Sequence, residues 1–328
     1  MTLLVTGSAG HLGEGLMRQL RATGRDAVGI DIKPSEFTDH VGSITDREFL
    51  RRRMKGVRAV IHAATLHKPH VATHPHQDFI DTNVSGTLAL LEEALAANVE
   101  SFVFTSTTST FGAALTPAMG EPAAWIDEDV APIPKNIYGV TKLSAEQLCE
   151  LFYRKRRMPV LVLRTSRFFP EPDDSIDVRN GFSTANAQAN ELLYRRVDIA
   201  DAVDAHLLAV ERAKAIGFGR YIISATTPFT REDLPELRRD PAAVLARHFP
   251  EAPALYASRG WRMFPQLDRV YVNARAREQL GWEPKYDFAR VLQALRSGEE
   301  FRSPLADAVG SKGYHDAVFE DGPYPVTS

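Results

Sequence analysis

The stretch MTLLVTGSAGHLGEGL at residues 1–16 constrains this chain more than any other. Leu3, Leu4 and Val5 form an apolar run that Thr6-Gly7 ends abruptly, too short for a membrane span or a signal-peptide core. Leu12, Leu16 and Leu20 then recur at helical spacing. A buried strand, a turn with glycine at positions 7, 10 and 13, and a helix therefore follow one another directly. This is half of a βαβ unit, and a strand so placed needs parallel neighbours.

Those neighbours are legible downstream. Apolar runs at residues 3–6, 27–31, 59–64, 102–106 and 160–164 alternate with helical patterns near 12–23, 46–54, 77–97 and 140–156. Crossovers of this kind force parallel strands and put helices on both faces, so the expected class is α/β, a doubly wound Rossmann sheet. After residue 165 the segment FFPEPDDSIDVRNG breaks the rhythm, ahead of a helix near 199–213 and a strand at GRYIIS. The closing SKGYHDAVFEDGPYPVTS reads as an irregular tail.

A glycine turn that follows a strand and opens a helix points backbone N–H groups and the positive helix end at a pyrophosphate. The next strand ends at Asp31, where a carboxylate accepts both ribose hydroxyls of NAD and repels the 2′-phosphate of NADP. Lys33, two residues on, softens that preference if it faces the ribose and has no bearing if it is solvated. The expected division is a dinucleotide-binding domain over residues 1–165, also receiving about 197–224, and a smaller C-terminal substrate lobe over most of 166–328.

Composition removes other classes. The 328 residues carry a formal charge of -3, with no basic excess for a nucleic-acid backbone. There is no apolar run of membrane-spanning length, so a cytoplasmic protein without a membrane or nucleic-acid partner is expected. Cys149, the single cysteine, sits in a helical pattern and reads as a small buried hydrophobe.

The second strong signal is FTSTTSTFG followed by NIYGVTK. Tyr138 and Lys142, four apart, share a helix face, where an ammonium lowers the pKa of a phenol towards that of a general base. Such a pair carries weight here because a hydroxyl cluster ends a neighbouring strand in a chain already shaped for a dinucleotide.

These motifs resemble those of the extended short-chain dehydrogenase/reductase superfamily, in particular its NAD-dependent epimerase/dehydratase family of sugar-modifying enzymes. TGSAGHLG, His62-Ala63-Ala64, Asn83-Val84-Ser85-Gly86-Thr87, Tyr138 to Lys142 and REQLGWEP match the family's ordered motifs. The resemblance implies NAD as cofactor, held by Gly7, Ala9, Gly10, His11, Leu12, Gly13, Asp31, Ile32, Ala63, Ala64, Asn83, Thr105, Tyr138 and Lys142. Counting back five positions from Gly112 puts the family's catalytic hydroxyl at Thr107, with Ser106 as the second choice. The implied roles are Tyr138 as base, Lys142 orienting the nicotinamide ribose and Thr107 holding the reacting oxygen. Asn83 is either a supporting residue of this kind or a core amide that satisfies backbone groups.

Departures from the family bear on substrate. Thr108-Ser109 stand where 4,6-dehydratases carry an Asp-Glu pair, which removes the proton donors for water elimination. The segment between Pro170 and Tyr194 is too short for the strand that clasps a nucleotide diphosphate, and FFPEP resembles the uronate dehydrogenases. His67, His70, His74 and His76 crowd one loop without a cysteine or paired carboxylates; no metal is expected, and His67 is taken as a substrate-lining group beside Thr108 and Ser109. Among Arg164, Arg167, Arg179, Arg195 and Arg196, Arg167 is the first choice for an anion-binding fork. The apolar excess on the helices near 77–97 and 140–156 resembles the dimer contact of the family, so a homodimer acting on a small carbohydrate is expected. Net oxidation and epimerisation stay open, with a nucleotide-sugar 4-epimerase as the alternative and a non-catalytic NAD-sensing protein as a third reading.

Overall fold

The computed structural model describes residues 2–313 and Phe319, so most of the sequence read as a tail lies outside the described residues. Its strands are β1 (Thr2–Thr6), β2 (Ala27–Asp31), β3 (His40–Val41), β4 (Val57–His62), β5 (Ser101–Thr107), β6 (Ala124–Ile126), β7 (Val160–Thr165), β8 (Phe218–Ile223) and β9 (Arg269–Tyr271). Seven of them form one sheet in the order β3-β2-β1-β4-β5-β7-β8, with every pairing parallel. The order reverses between β1 and β4, the switch point at which a doubly wound sheet opens a crevice.

Each central strand is apolar throughout because helices cover both faces. The helices are α1 (His11–Ala22), α2 (Arg47–Arg53), α3 (His76–Phe79), α4 (Gly86–Ala96), α5 (Ile137–Arg156), α6 (Ile176–Gly181), α7 (Thr184–Leu192), α8 (Ile199–Ile216), α9 (Leu234–Leu237), α10 (Pro241–His248), α11 (Ala252–Ser258), α12 (Ala274–Leu280), α13 (Phe288–Ser297) and α14 (Pro304–Val309). Leu3, Val5, Ile61, Val103 and Leu163 pack with Leu16, Val203 and Ala209 of α1 and α8 on one face. Leu4, Val60, Phe102, Phe104 and Val162 pack with Leu50, Leu90 and Cys149 of α2, α4 and α5 on the other. Cys149 is thus the buried hydrophobe expected of it. No helix among the described residues is long and apolar enough to cross a membrane.

The long helix expected over 77–97 is divided. A wide π turn at Ile80–Ser85 separates α3 from α4. Such turns commonly mark functional positions, and this one contains Asn83, whose side chain is buried. Between β7 and α8 lie α6 and α7, and the described residues there form no strand, only a single bridge between Arg167 and Arg196. The short β3 and the two-stranded sheet of β6 and β9 are too brief to have left a period in the sequence. A separate apolar cluster, including Leu193, Leu237, Val244, Tyr256, Phe264 and Phe288, fills the C-terminal part.

One carboxylate ties that part to the sheet layer. Asp201 of α8 accepts hydrogen bonds from the backbone N–H of Lys285 at 2.8 Å and of Tyr286 at 2.9 Å. The fully buried Trp282 donates its indole N–H to the Asp201 carbonyl at 3.0 Å. Asp201→Ala removes the acceptor of both backbone N–H groups, with an expected loss of about 2–4 kcal/mol and a thermal midpoint lower by several degrees. Asp201→Asn keeps one acceptor oxygen and is expected to lose less; thermal unfolding followed by circular dichroism checks both, and an unchanged midpoint for the alanine variant contradicts the tie.

Candidate active site

The site is built where the carboxyl ends of β1, β4 and β5 meet the N-terminus of α1. Gly7 has φ +74°, and a Cβ on it would lie 2.7 Å from the Ala64 nitrogen, so the turn packs directly on the end of β4. A Cβ at position 13 would lie 1.9 Å from the Gly7 carbonyl oxygen. Gly7 and Gly13 are therefore demanded by the chain's own backbone. Gly10 is different: a Cβ there would meet only the Gly7 oxygen, at 3.3 Å, so its bareness keeps space open above the turn. No side chain caps α1 at Gly10, which leaves the first N–H groups of that helix to an anion.

Asp31 is held in position at the end of β2. One carboxylate oxygen accepts from the Ala9 N–H at 3.0 Å and the other from the Lys33 N–H at 2.8 Å. Each oxygen retains a lone pair for a ribose hydroxyl. These residues fit the dinucleotide implied by the motif.

Neutral histidines support the strand ends. Thr87 donates to the Asn83 carbonyl at 2.7 Å, so His62 Nε2–H donates to Thr87 Oγ1 at 3.0 Å and its Nδ1 accepts from the Thr6 hydroxyl at 2.8 Å. Burial first, then the Lys142 ammonium, push His62 down to about 3. His206 Nδ1–H donates to the Ala202 carbonyl at 2.7 Å, and its Nε2 accepts from Thr105 at 2.9 Å. Burial lowers it to about 4.

Thr107 ends β5, and its hydroxyl oxygen accepts from the Ser109 N–H at 3.1 Å. Tyr138 stands in the first turn of α5, capped by Asn136, and hydrogen bonds to the Thr107 side chain. Burial pushes the phenol above its ordinary value, and the Thr107 bond draws it back. One turn later Lys142 is buried, with its ammonium 4.1 Å from the centre of the Phe104 ring. Burial lowers Lys142 to about 7.

A cavity of about 900 Å³ joins these groups. Of the residues expected from sequence, Gly7, Ala9, Gly10, His11, Leu12, Gly13, Asp31, Ile32, Ala63, Ala64, Thr105, Thr107, Tyr138, Lys142, His67, Thr108, Ser109 and Arg167 all line it, as does Ser106. Asn83 stands apart, in the arrangement of a core amide that satisfies backbone groups. Its Oδ1 accepts from Thr65 at 2.9 Å and Leu66 at 2.8 Å, while its amide donates to the Leu66 carbonyl at 3.0 Å and Thr141 at 3.1 Å. The amide is consumed in pinning the loop after β4 to α5, and Asn83 does not line the cavity.

Arg167 reaches the cavity, but its guanidinium is already engaged by Asp174 at 3.0 Å and by the Glu171 and Pro172 carbonyls. Arg164, Arg195 and Arg196 are paired with Glu146, Asp173 and Glu191. His67 lies 5.0 Å from the Tyr138 ring and 4.8 Å from Phe169, centre to centre. Enclosure first, then the neighbouring His70, push it down to about 3. Among the described residues no three His, Cys, Asp or Glu side chains are grouped to hold a metal ion.

Sequence reasoning missed several lining groups. Lys68 and Lys135, each beside a residue already singled out, also line the cavity, and Arg269, Tyr271 and Lys312 join it from distant parts of the chain, the first two on the short strand β9. His11 and Glu171 form a buried pair at 2.8 Å, and Ser311 and the Lys312 backbone also donate to Glu171. Nothing local in the sequence signals contacts that span more than a hundred positions.

The NAD dependent epimerase/dehydratase family matches residues 3–223. The UDP-glucose 4-epimerase of Rhizobium meliloti is 28% identical over 333 residues, covering 89% of this chain and 95% of that protein. The NAD-dependent glucose-6-phosphate dehydrogenase of Haloferax volcanii is 28% identical over 177 residues, covering 49% of this chain and 66% of that protein. A short-chain dehydrogenase/reductase superfamily protein from Agrobacterium tumefaciens, crystallised with bound NAD, superposes with a TM-score of 0.65 at 26% identity, covering 90% of this chain and 96% of that one. The glycine turn, the crevice at the switch point and the sequence match agree, and the chain belongs to the NAD dependent epimerase/dehydratase family of the short-chain dehydrogenase/reductase superfamily.

Proposed function

We propose that this enzyme carries out NAD-dependent hydride transfer at a secondary C–OH of a sugar or sugar acid, with Tyr138, Lys142 and Thr107 as the catalytic set. The observation that carries the reading is the meeting of these three residues in one cavity with the glycine turn and Asp31. Tyr138 takes the proton of the substrate hydroxyl, and Thr107 donates a hydrogen bond to the reacting oxygen. Lys142 supplies positive charge to the phenolate and a donor to the nicotinamide ribose. NAD, held by the α1 N-terminus and Asp31, supplies the hydride acceptor. Residues 1–165 with about 197–224 form the cofactor unit in this reading, and most of 166–328 the substrate unit.

The substrate in this reading bears an anionic group. Lys68, Lys135 and Arg269 line the cavity wall, and Asp174 is engaged by Lys68 at 2.7 Å as well as by Arg167. The strand-free stretch between β7 and α8 supports a small free sugar acid or sugar phosphate. The Rhizobium relative's coverage of both chains supports the second reading, a UDP-hexose 4-epimerase in which the keto sugar is reduced again on its other face. A panel of free uronates, hexose phosphates, aldoses and UDP-sugars with NAD, followed at 340 nm and by product NMR, separates the two. NADH release marks oxidation and an epimer without release marks epimerisation, whereas no turnover across the panel contradicts both.

Assembly as a homodimer is part of the proposal. Val140 and Leu151, nearly superimposed along one face of α5, are 46% and 39% exposed, and Ile80 on the adjoining π turn is 41% exposed. Light scattering is expected to give the mass of two chains; a monomer at micromolar concentration contradicts it.

Two sets of variants test the assigned roles. Tyr138→Phe keeps the ring and removes the ionisable oxygen, so kcat is expected to fall by about a hundredfold or more with NAD affinity retained. Thr107→Val is expected to act on kcat, and Lys142→Met on both kcat and NAD binding. Asp31→Ala is expected to weaken NAD far more than NADP in a binding titration, and equal effects on the two would contradict the ribose role.

A further inference from the structure

Lys142 is one of the largest fully buried side chains, and burial of an ammonium favours the free amine. The groups around it are specific. Tyr138, Glu146 and Cys149 share its helix, Phe104 comes from β5, His62 from β4 and His67 from the loop that follows. Both histidines are held neutral. Cys149 is also close, but burial, reinforced by Glu146, pushes its thiol far above the ordinary range, so it carries no charge. That leaves Glu146, one turn on along α5 and paired with Arg164, as the carboxylate acting on Lys142.

Glu146 is completely buried, one turn beyond Lys142 on α5. It accepts from the Ser106 hydroxyl at 2.5 Å, from Arg164 Nε at 3.1 Å and from Arg164 Nη2 at 2.8 Å. Arg220 Nε of β8 lies 3.4 Å from the same carboxylate, and Arg220 is shared with Glu150 at 2.5 Å. Ser106 immediately precedes Thr107 and stands opposite Arg164 in the register of β5 and β7. A single carboxylate therefore joins three strands to the helix that carries Tyr138 and Lys142.

We propose that Glu146 is a positioning residue for the reaction. Through Ser106 it holds the end of β5 bearing Thr107 against α5 bearing Tyr138, and its charge, one turn along α5, favours the ammonium form of Lys142. The proposal rests on the catalytic set assigned above but deepens it with a claim about this chain alone. Arg164 pairs with Glu146, and Arg220 is shared between Glu146 and Glu150, which also meets Arg154; deleting the Glu146 carboxylate removes a negative charge near Lys142, and deleting the Arg164 guanidinium removes a positive one.

The two deletions must move Lys142 in opposite directions. The midpoint of Lys142 is read from the 13Cε shift of lysine-labelled protein as pH is varied, with Lys142→Met identifying the signal. The full chain is used and the midpoints need no substrate, so failure of the assigned chemistry does not affect them. Glu146→Gln is expected to lower the midpoint by about one unit or more, a tenfold or greater change in the protonation constant. Arg164→Gln is expected to raise it, and Ser106→Ala, which removes only the hydroxyl, to leave it in place while lowering kcat. If Glu146→Gln does not fold, Arg164→Gln alone decides: a raised midpoint supports the proposal and an unmoved one overturns it. Movement of both variants in the same direction also overturns it, because a merely structural role has no sign.

Discussion

The site depends on parallel strands ending together at one edge of the sheet. Thr6, His62 and Thr107 finish β1, β4 and β5 on the same side, and only there do hydroxyls, imidazoles and a glycine turn converge. The alignment holds because α1 approaches the first turn so closely that a Cβ on Gly13 would sit 1.9 Å from the Gly7 carbonyl oxygen. A methyl group at that position would force the helix away from β1. The N–H groups of α1 and the Asp31 carboxylate would then lose their common geometry.

Within that frame, the chemistry is a matter of charge in a medium that disfavours it. His62 and His206 are neutral hydrogen-bond relays, each with a defined tautomer set by its partners. Tyr138 and Lys142 are both buried, and burial alone drives each towards its uncharged form. A general base at neutral pH requires the opposite. Thr107 on the phenol and the Glu146 carboxylate, anchored by two arginines, near the ammonium both act against that drive. The same burial that makes the ion network hazardous to disrupt makes its field strong at Tyr138 and Lys142.

Much of this was legible from one chain because the motifs have local causes. The strand period, the glycine spacing, Asp31 at a strand end and the four-residue step from Tyr138 to Lys142 each follow from short-range geometry. The π turn was not legible, because helical spacing alone reads through it; within it Asn83 turns inward to bind Thr65, Leu66 and Thr141. Arg167 illustrates a different limit: its type suits an anion, but only the folded segment reveals Asp174 beside it. Arg269 and Lys312 reach the cavity from the far end of the chain, where sequence separation leaves no trace of contact.

In the proposed function, Tyr138, Lys142 and Thr107 serve hydride transfer rather than proton abstraction from carbon. The most direct measurement uses a turned-over sugar carrying deuterium on its reacting carbinol carbon, with mass and NMR analysis of cofactor and product. The account predicts that the deuterium appears at C4 of the nicotinamide, or returns to the same carbon of an epimerised product. Loss of the label to solvent water during turnover would contradict it.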